Sequence, residues 1–317
     1  MTGADMATRT PTIQGERILV GPDPLPEVLD AVLASGCELV DTLDEADGVV
    51  WFGRDPAAIG SSLPASVRWL QTPDAGAERW ISAGMTEGPW VITGAAGAYG
   101  PQIAEHALAL LLGCLHGFAA FARADSWEPK AWPVGSVADR RVVILGAGGI
   151  GRRLTEILQP LGARVTVLSA SGRQVPSAQD CDRAENLDNW LPVADAIVLA
   201  APATPDTYHL MNDARLARLP DGAVLVNVAR GSLVDTDALL RGLDRGRPGS
   251  AGLDVTDPEP LPEGHPLLDH PRVLLTPHVA NPPARKRAAF AALVRENCER
   301  FRLGLPLTGV IDAQRGY

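Results

Sequence analysis

The sequence predicts an α/β protein of two domains, a larger one built on a doubly wound parallel sheet and a smaller, discontinuous one built on a second sheet. Its 317 residues exceed the usual size of a single domain. Short apolar runs alternate with helical stretches along most of the chain, and this alternation favours parallel strand pairing. A glycine-rich turn, Gly146–Gly151, separates a predicted strand from a predicted helix.

The region before residue 99 contains five short apolar runs that we interpret as strands, with a helix at Pro26–Ala34 between the first two. No glycine-rich turn follows the first strand, so we expect a small flavodoxin-like α/β unit. The first fifteen residues are small and polar, and we expect residues 1–15 to form a disordered tail. The predicted strands are Arg17–Gly21, Glu38–Asp41, Gly48–Phe52, Arg68–Gln71 and Val91–Thr93.

A long helix is predicted to begin near Pro101 and to lead into the larger domain, because apolar residues recur at helical spacing as far as Phe118. Six strands follow it, with helices predicted at Arg152–Gln159 and Asp235–Leu243. We assign residues 99–283 to this dinucleotide-binding domain. Its predicted strands are Val142–Leu145, Arg164–Leu168, Ala196–Leu199, Ala223–Val228, Ala251–Val255 and Val273–Leu275.

A final helix, Ala284–Leu303, and an extended segment, Pro306–Asp312, follow the sixth strand. The extended segment has no predicted partner in the larger domain, so we expect it to pack on the first one. The smaller domain would then comprise residues 16–98 and 284–317, with the active site in the cleft between the two domains.

The glycine-rich turn is typical of a Rossmann fold, since it follows a strand and opens a helix. Gly146 permits the tight turn, Gly148 lets the backbone approach a pyrophosphate, and Gly151 lets the helix pack on the strand. Gly149 and Ile150 complete the loop, and the amino end of the helix faces the phosphates.

The second strand of the larger domain lacks the acidic residue that binds the ribose 2′-hydroxyl of NAD. Ser169 stands in that position, and no negative charge there repels a 2′-phosphate. Ser169, Ser171 and Arg173 are suited to binding such a phosphate. We therefore predict NADP(H) in preference to NAD(H), with the alternative that these are ordinary turn residues and either cofactor binds.

Polar residues follow the last three predicted strands at their carboxyl ends, where α/β sheets bind ligands. Arg230 can hold a carboxylate through two hydrogen bonds. Glu259 beside His278 would favour the charged imidazole, which can protonate a carbonyl oxygen. Asp254 lies inside a strand and needs a partner if it is buried, for which the nicotinamide carboxamide is a candidate. In the usual strand order these three strands lie beside the strand that carries the glycine turn. We interpret the remaining histidines of the chain as structural or solvated.

Composition argues against several other classes of protein. The net charge of −10 disfavours binding to nucleic acid or to anionic membranes. The longest apolar run, near residues 108–112, is too short to span a bilayer. The four cysteines are far apart and show no metal-ligand spacing, so we expect no metal and a cytoplasmic protein with reduced thiols.

The motifs described above resemble the D-isomer-specific 2-hydroxyacid dehydrogenase family, over nearly the whole chain after the tail. The resemblance implies a nucleotide domain, a substrate domain and a homodimer. It also implies that Arg230 binds substrate, that Glu259 and His278 form the acid–base pair, and that Asp254 contacts the nicotinamide. The segments that carry it are Gly146–Gly151, Asn227–Asp235, Gly252–Glu259 and Thr276–His278.

Two segments of the substrate domain add to the resemblance. The loop Asp74-Ala75-Gly76-Ala77 is similar to the family loop whose backbone amides bind the substrate carboxylate, and Ala98-Tyr99-Gly100 is similar to another cleft segment. We therefore include Ala75, Gly76 and Tyr99 among the candidate substrate-binding residues. Trp127 and Trp132 resemble a loop that reaches the neighbouring active site of a dimer, and simple interface packing is the alternative.

Ser169 in place of an acid is similar to the glyoxylate/hydroxypyruvate reductase branch of this family. We predict an oxidoreductase that uses NAD(P)H to reduce a small 2-oxo acid, such as glyoxylate or hydroxypyruvate, to the D-2-hydroxy acid. His278 would be its general acid. The alternative is a non-enzymatic, NAD(H)-sensing interaction protein on the same fold, against which the intact pair of Glu259 and His278 argues.

Overall fold

The computed structural model describes residues 16–53, 55–60, 63–127 and 134–316, so the predicted tail at 1–15 lies outside the described residues. The first sheet is parallel, with the strand order β2-β1-β3-β4-β5. Its strands are β1 (Arg17–Gly21), β2 (Glu38–Val40), β3 (Gly48–Trp51), β4 (Trp69–Gln71) and β5 (Val91–Thr93).

The second sheet is also parallel, with the strand order β12-β11-β10-β9-β6-β7-β8. Apolar residues cover both of its faces, because alternate strand residues point to opposite sides. Val142 and Ile144 belong to one buried cluster and Val143 and Leu145 to another. Its strands are β6 (Arg141–Leu145), β7 (Arg164–Ser169), β8 (Asp180–Arg183), β9 (Ala196–Leu199), β10 (Val224–Asn227), β11 (Ser250–Leu253) and β12 (Val273–Leu275).

The α-helices of the described residues connect the strands and cover the sheets. Among these residues, no helix combines the length and apolar character that a membrane span requires. The helices are α1 (Pro26–Ala34), α2 (Ala57–Gly60), α3 (Glu78–Ser82), α4 (Gly100–Leu115), α5 (Phe118–Phe121), α6 (Gly149–Leu158), α7 (Leu187–Trp190), α8 (Asp213–Leu216), α9 (Thr236–Arg245), α10 (Pro266–Asp269) and α11 (Pro283–Arg302).

The larger sheet is doubly wound, since α4 and α6 contribute to the cluster on one face while α8 and α9 contribute to the cluster on the other. Two parallel-sheet α/β domains are therefore present, and the predicted fold class is confirmed. Helix α4 packs against α6 and against the β10, β11 and β12 strands. It thereby brings the start of the larger domain close to the strand ends that carry the candidate site.

The C-terminal segment returns to the first sheet. Helix α11 packs on α1, and Phe290 and Val294 share the buried cluster of Ile18. The chain then bridges Val310 to Thr93 in an antiparallel sense. These contacts support the division into residues 16–98 with 284–317 and residues 99–283, which we retain as a proposal.

Three features differ from the predictions. Strand β8 was not predicted, because its sequence Asp-Cys-Asp-Arg is polar and it lies at the edge of the sheet. Strand β9 lies between β6 and β10, so the last three strands are not directly beside the one that carries the glycine turn. The long helix ends at Leu115 rather than near Phe118, because Gly117 adopts a left-handed conformation with φ of 67°.

Candidate active site

The glycine turn after β6 is shaped by close backbone contacts. Gly146 has φ of 119°, and an ideal Cβ there would lie 2.4 Å from the carbonyl oxygen of Ala200. An ideal Cβ on Gly151 would lie 1.9 Å from the carbonyl oxygen of Gly146. Gly148, in contrast, is exposed and has nothing within 4 Å of that position. The turn therefore offers an open backbone surface at the start of α6, which fits the pyrophosphate of a dinucleotide.

The same turn also contacts the segment that precedes α4. An ideal Cβ on Gly149 would lie 2.5 Å from the carbonyl oxygen of Gly97, so only glycine permits this approach. Ile150 is partly buried and packs on the apolar cluster beneath α4 and α6. The candidate cofactor cradle thus lies where the two domains meet.

The carboxyl end of β7 presents the residues expected to select the cofactor. The Ser169 hydroxyl is buried and has no hydrogen-bond partner among the described residues. The guanidinium of Arg173 donates to the carbonyl oxygen of Ala147 in the glycine turn, and Ser171 is exposed. A buried hydroxyl without a partner, followed along the chain by a cation, is an arrangement that fits an anionic group of a ligand.

The structure also places Arg183 in this region, and the sequence analysis did not identify this residue. Arg183 ends β8 and pairs in register with Ser169. An ideal Cβ on Gly172 would lie 3.0 Å from Cγ of Arg183, so the arginine side chain begins next to the turn after β7. Within the described ranges its guanidinium has no ion-pair partner. Two arginines therefore flank the turn that begins at Ser169.

The structure brings Glu259 and His278 together. Nδ1 of His278 lies 2.7 Å from Oε1 of Glu259, and both side chains are exposed. The carboxylate accepts a hydrogen bond from the N–H at Nδ1, which leaves Nε2 of the ring for another partner. This contact joins the loop after β11 to the loop after β12.

The backbone of His278 is held in an uncommon conformation. Its φ is 53°, in the left-handed region that costs a side-chain-bearing residue about 1–2 kcal/mol. The N–H of His278 donates to the carbonyl oxygen of Asp254 at 2.8 Å. An unfavourable backbone conformation persists only where surrounding contacts hold it, and such conformations cluster at functional sites. The conformation of His278 therefore supports a functional role.

Asp254 supplies most of those contacts. Its side chain is 2% exposed. One carboxylate oxygen accepts from the Thr276 hydroxyl at 2.6 Å and from the N–H of Val279 at 2.9 Å, and the other accepts from the N–H of Ala280 at 3.1 Å. Burial raises the pKa of Asp254, but hydrogen bonds from His106 and from these groups lower it to about 2. The carboxylate therefore organises the loop around His278, and its contact with the nicotinamide stays a prediction.

His106, which we had interpreted as structural or solvated, belongs to this network. Its Nε2 lies 2.9 Å from the Thr276 hydroxyl and 3.4 Å from Asp254. Because the Thr276 hydroxyl donates to Asp254, His106 is the donor to Thr276. The network thus links α4 to the loop that carries His278.

Arg230 lies after β10 in a turn whose conformation depends on Asn227 and Gly231. The buried Asn227 donates from Nδ2 to the carbonyl oxygen of Arg230 at 2.8 Å. An ideal Cβ on Gly231 would lie 1.8 Å from the carbonyl oxygen of Thr256. Glycine therefore allows the Arg230 turn to approach the loop that leads to Glu259. The side chain of Arg230 is 37% exposed, and its Nε lies 3.2 Å from Oε1 of Glu78 in the substrate domain.

The loop before α3 faces Arg230. The carboxylate of Asp74 accepts from Nε of Arg79 and from Nε1 of Trp80, each at 2.7 Å. Within the described part of the chain, the backbone N–H groups of residues 75–77 have no hydrogen-bond acceptor. Ala75 and Gly76 thus present free donors close to the Arg230 guanidinium, which reaches this loop from the other domain.

Tyr99 is a buried residue that holds this loop in place. It is 3% exposed, and its hydroxyl donates to the carbonyl oxygen of Pro73 at 2.7 Å. Burial, and the nearby charge of Asp74, raise the pKa of Tyr99. The side chain therefore buttresses the loop that carries Ala75 and Gly76, and a direct contact of Tyr99 with substrate stays a prediction.

Comparison with known proteins bears on the chemistry of this cleft. The family model described as D-isomer specific 2-hydroxyacid dehydrogenase, NAD binding domain, matches residues 106–280. The chain belongs to the D-isomer-specific 2-hydroxyacid dehydrogenase family. The identification made from the sequence is thus confirmed, and so is the class of enzyme, an NAD(P)-dependent 2-hydroxyacid dehydrogenase.

Individual relatives agree with this assignment. Glyoxylate/hydroxypyruvate reductase A of Klebsiella pneumoniae (strain 342) is 35% identical over 221 residues, which cover 69% of this chain and 70% of the reductase. A D-isomer specific 2-hydroxyacid dehydrogenase from Xanthobacter autotrophicus Py2, solved with NADPH and MES, has a TM-score of 0.82 and 27% identity, and the match covers 96% of this chain and all of that one. An NADPH-dependent glyoxylate/hydroxypyruvate reductase from Sinorhizobium meliloti, solved with NADP and sulfate, has a TM-score of 0.78 and 26% identity, covering 95% and 100%.

Two tryptophans of this dehydrogenase were candidates for a contact with a second subunit. Trp127 is 95% exposed, which is unusual for so large an apolar side chain. Trp132 lies outside the described residues. The exposure of Trp127 fits both alternatives, interface packing and a contact with the neighbouring active site.

Proposed function

We propose that this dehydrogenase reduces a small 2-oxo acid, glyoxylate or hydroxypyruvate, to the D-2-hydroxy acid. The contact of 2.7 Å between Glu259 and His278 carries the proposal, because it orients an imidazole among the loops that follow the strands of the larger sheet, where Arg230 also lies. The name of the Klebsiella pneumoniae relative, a glyoxylate/hydroxypyruvate reductase, supports the choice of substrate.

In this proposal the substrate is held between the two domains. Arg230 binds the carboxylate of the 2-oxo acid, and the free N–H groups of Ala75 and Gly76 donate to it from the other side. Charge-assisted, two-pronged hydrogen bonds fix the orientation of a planar carboxylate.

His278 protonates the carbonyl oxygen from Nε2 while Glu259 holds the proton on Nδ1. The carboxylate stabilises the imidazolium and fixes the plane of the ring. A bound nicotinamide cofactor would supply the hydride for the carbonyl carbon. Asp254 acts on this step indirectly, because its contacts with Val279 and Ala280 maintain the backbone of His278.

We also propose that the cofactor is NADP(H) rather than NAD(H). Ser169 offers an unpaired hydroxyl, while Arg173 and Arg183 place two positive charges around the same turn. These groups are suited to a 2′-phosphate, and no carboxylate at position 169 repels it. The relatives from Xanthobacter autotrophicus and Sinorhizobium meliloti were solved with NADPH and NADP, which supports the proposal.

A homodimer and a cytoplasmic location stay predictions of the sequence. So do the limits of the two domains, a dinucleotide-binding domain at 99–283 and a substrate domain at 16–98 and 284–317. Size-exclusion chromatography with light scattering would report the dimer directly.

Steady-state kinetics test the proposed function. The purified protein is assayed with glyoxylate, hydroxypyruvate, pyruvate and 2-oxobutanoate, each with NADPH and with NADH. We expect glyoxylate or hydroxypyruvate with NADPH to give the highest kcat/KM. Tight cofactor binding without reduction of any of these acids would favour the alternative, a non-enzymatic sensing protein.

A further inference from the structure

The guanidinium of Arg230 is already paired with a carboxylate of the chain itself. Its Nε lies 3.2 Å from Oε1 of Glu78, the first residue of α3. Glu78 follows β4 of the smaller sheet, and Arg230 follows β10 of the larger one. The ion pair therefore crosses the cleft at the group to which we assign the substrate carboxylate.

The surroundings of Gly76 show how closely the Arg230 guanidinium and the Glu78 carboxylate approach the loop of residues 75–77. An ideal Cβ on Gly76 would lie 2.2 Å from Nη2 of Arg230 and 2.2 Å from Oε2 of Glu78. Both charged groups thus lie directly over the Gly76 backbone, beside the free N–H groups of residues 75–77. A carboxylate bound by this loop and by Arg230 must come next to Glu78.

The pair can be displaced by a ligand. Its side chains are 37% and 44% exposed, and ion pairs that are open to solvent are weak. The neighbouring Arg79 donates to Asp74. Among the described residues, Arg230 is the ion-pair partner of Glu78. When a substrate takes Arg230, the negative charge of Glu78 stays in the cleft without its cation.

We propose that Glu78 is a specificity-determining residue, which competes with the substrate carboxylate for Arg230 and favours 2-oxo acids that carry a single negative charge. The proposal rests on the proposed role of Arg230 as the carboxylate-binding group. A 2-oxo acid with a second carboxylate would bring another negative charge into the cleft, where Arg230 is occupied by the first carboxylate and Glu78 has lost its cation. Like charges repel each other, and the substrate binds less well.

The test compares Glu78→Gln with Glu87→Gln, an exposed glutamate of the same domain that changes the net charge equally. The substrates are glyoxylate and two four-carbon acids, oxaloacetate with two carboxylates and 2-oxobutanoate with one. Where a four-carbon acid is not reduced, its inhibition constant against glyoxylate replaces kcat/KM. All assays use NADPH at a constant ionic strength.

We expect Glu78→Gln to lower KM for glyoxylate by about two- to fivefold, the scale of an exposed ion pair, and to leave kcat unchanged. The preference for 2-oxobutanoate over oxaloacetate should fall by about threefold or more, and Glu87→Gln should change neither quantity. A higher KM in Glu78→Gln, or an unchanged preference, would overturn the proposal. If the wild-type protein reduces no 2-oxo acid, the proposed function fails; if it does and only the Glu78 effects are missing, the Glu78 proposal alone fails.

Discussion

Replacing Asp254 with Asn tests whether this carboxylate holds the loop that carries His278. Burial would raise the pKa of Asp254, but hydrogen bonds from His106, Thr276 and two backbone N–H groups lower it from 3.8 to about 2. A shift of this size corresponds to about 2 kcal/mol. Asn has a single side-chain acceptor, so it leaves donors of this loop unpaired. We expect Asp254→Asn to lower the free energy of unfolding by about 2 kcal/mol at neutral pH.

The pH dependence of this effect has a definite sign. The pKa of Asp254 is lower in the folded protein than in the unfolded chain, so its contribution is present above 3.8 and is lost as the pH falls towards 2. The difference in unfolding free energy between wild type and Asp254→Asn should fall to about 1 kcal/mol at about pH 3.

Urea unfolding followed by circular dichroism measures both values, with Asp30→Asn as the control. Asp30 is an exposed residue of α1, so its replacement changes the net charge equally without touching the site. An Asp254→Asn variant as stable as wild type at neutral pH would refute the reasoning. So would a difference that does not shrink on acidification.

The remaining predictions concern substrate and cofactor binding. Arg230→Lys keeps the charge but loses the planar fork, and kcat/KM for glyoxylate should fall by about ten- to a hundredfold; unchanged kinetics would exclude two-pronged binding. Glu259→Gln keeps a hydrogen-bonding group beside the ring, so kcat should fall by about tenfold, and a wild-type kcat would show that the carboxylate charge is not needed. Ser169→Asp should weaken NADPH binding by about tenfold or more while sparing NADH, measured by cofactor fluorescence. Arg183→Ala should weaken only NADPH; equal losses for both cofactors would show that Arg183 does not bind the 2′-phosphate.

Local patterns in the sequence were sufficient to predict most of the strands and helices. The predicted bounds of β1 and α1 match the structure, because an apolar run next to Gly or Pro is a local signal. Strand β8 escaped prediction since an edge strand can be polar on both faces. The order of the strands is a property of long-range pairing, which no local pattern contains.

The sequence predicted which residues belong to the candidate site, but not most of the contacts between them. Residue type and position after a strand indicated Arg230, Glu259 and His278, and the structure brings the last two together. The pairing of Arg230 with Glu78 joins residues more than a hundred positions apart in different domains, so the sequence carries no sign of it. The burial of Tyr99 depends in the same way on packing between distant segments.

The kcat of His278→Ala with glyoxylate and NADPH tests the proposed mechanism most directly. The loss of a general acid should lower kcat by about a hundredfold or more. The affinity for NADPH, measured by fluorescence titration, should stay close to that of wild type, because the glycine turn is unchanged. A wild-type protein that reduces glyoxylate and a His278→Ala variant that turns over equally fast would contradict the account.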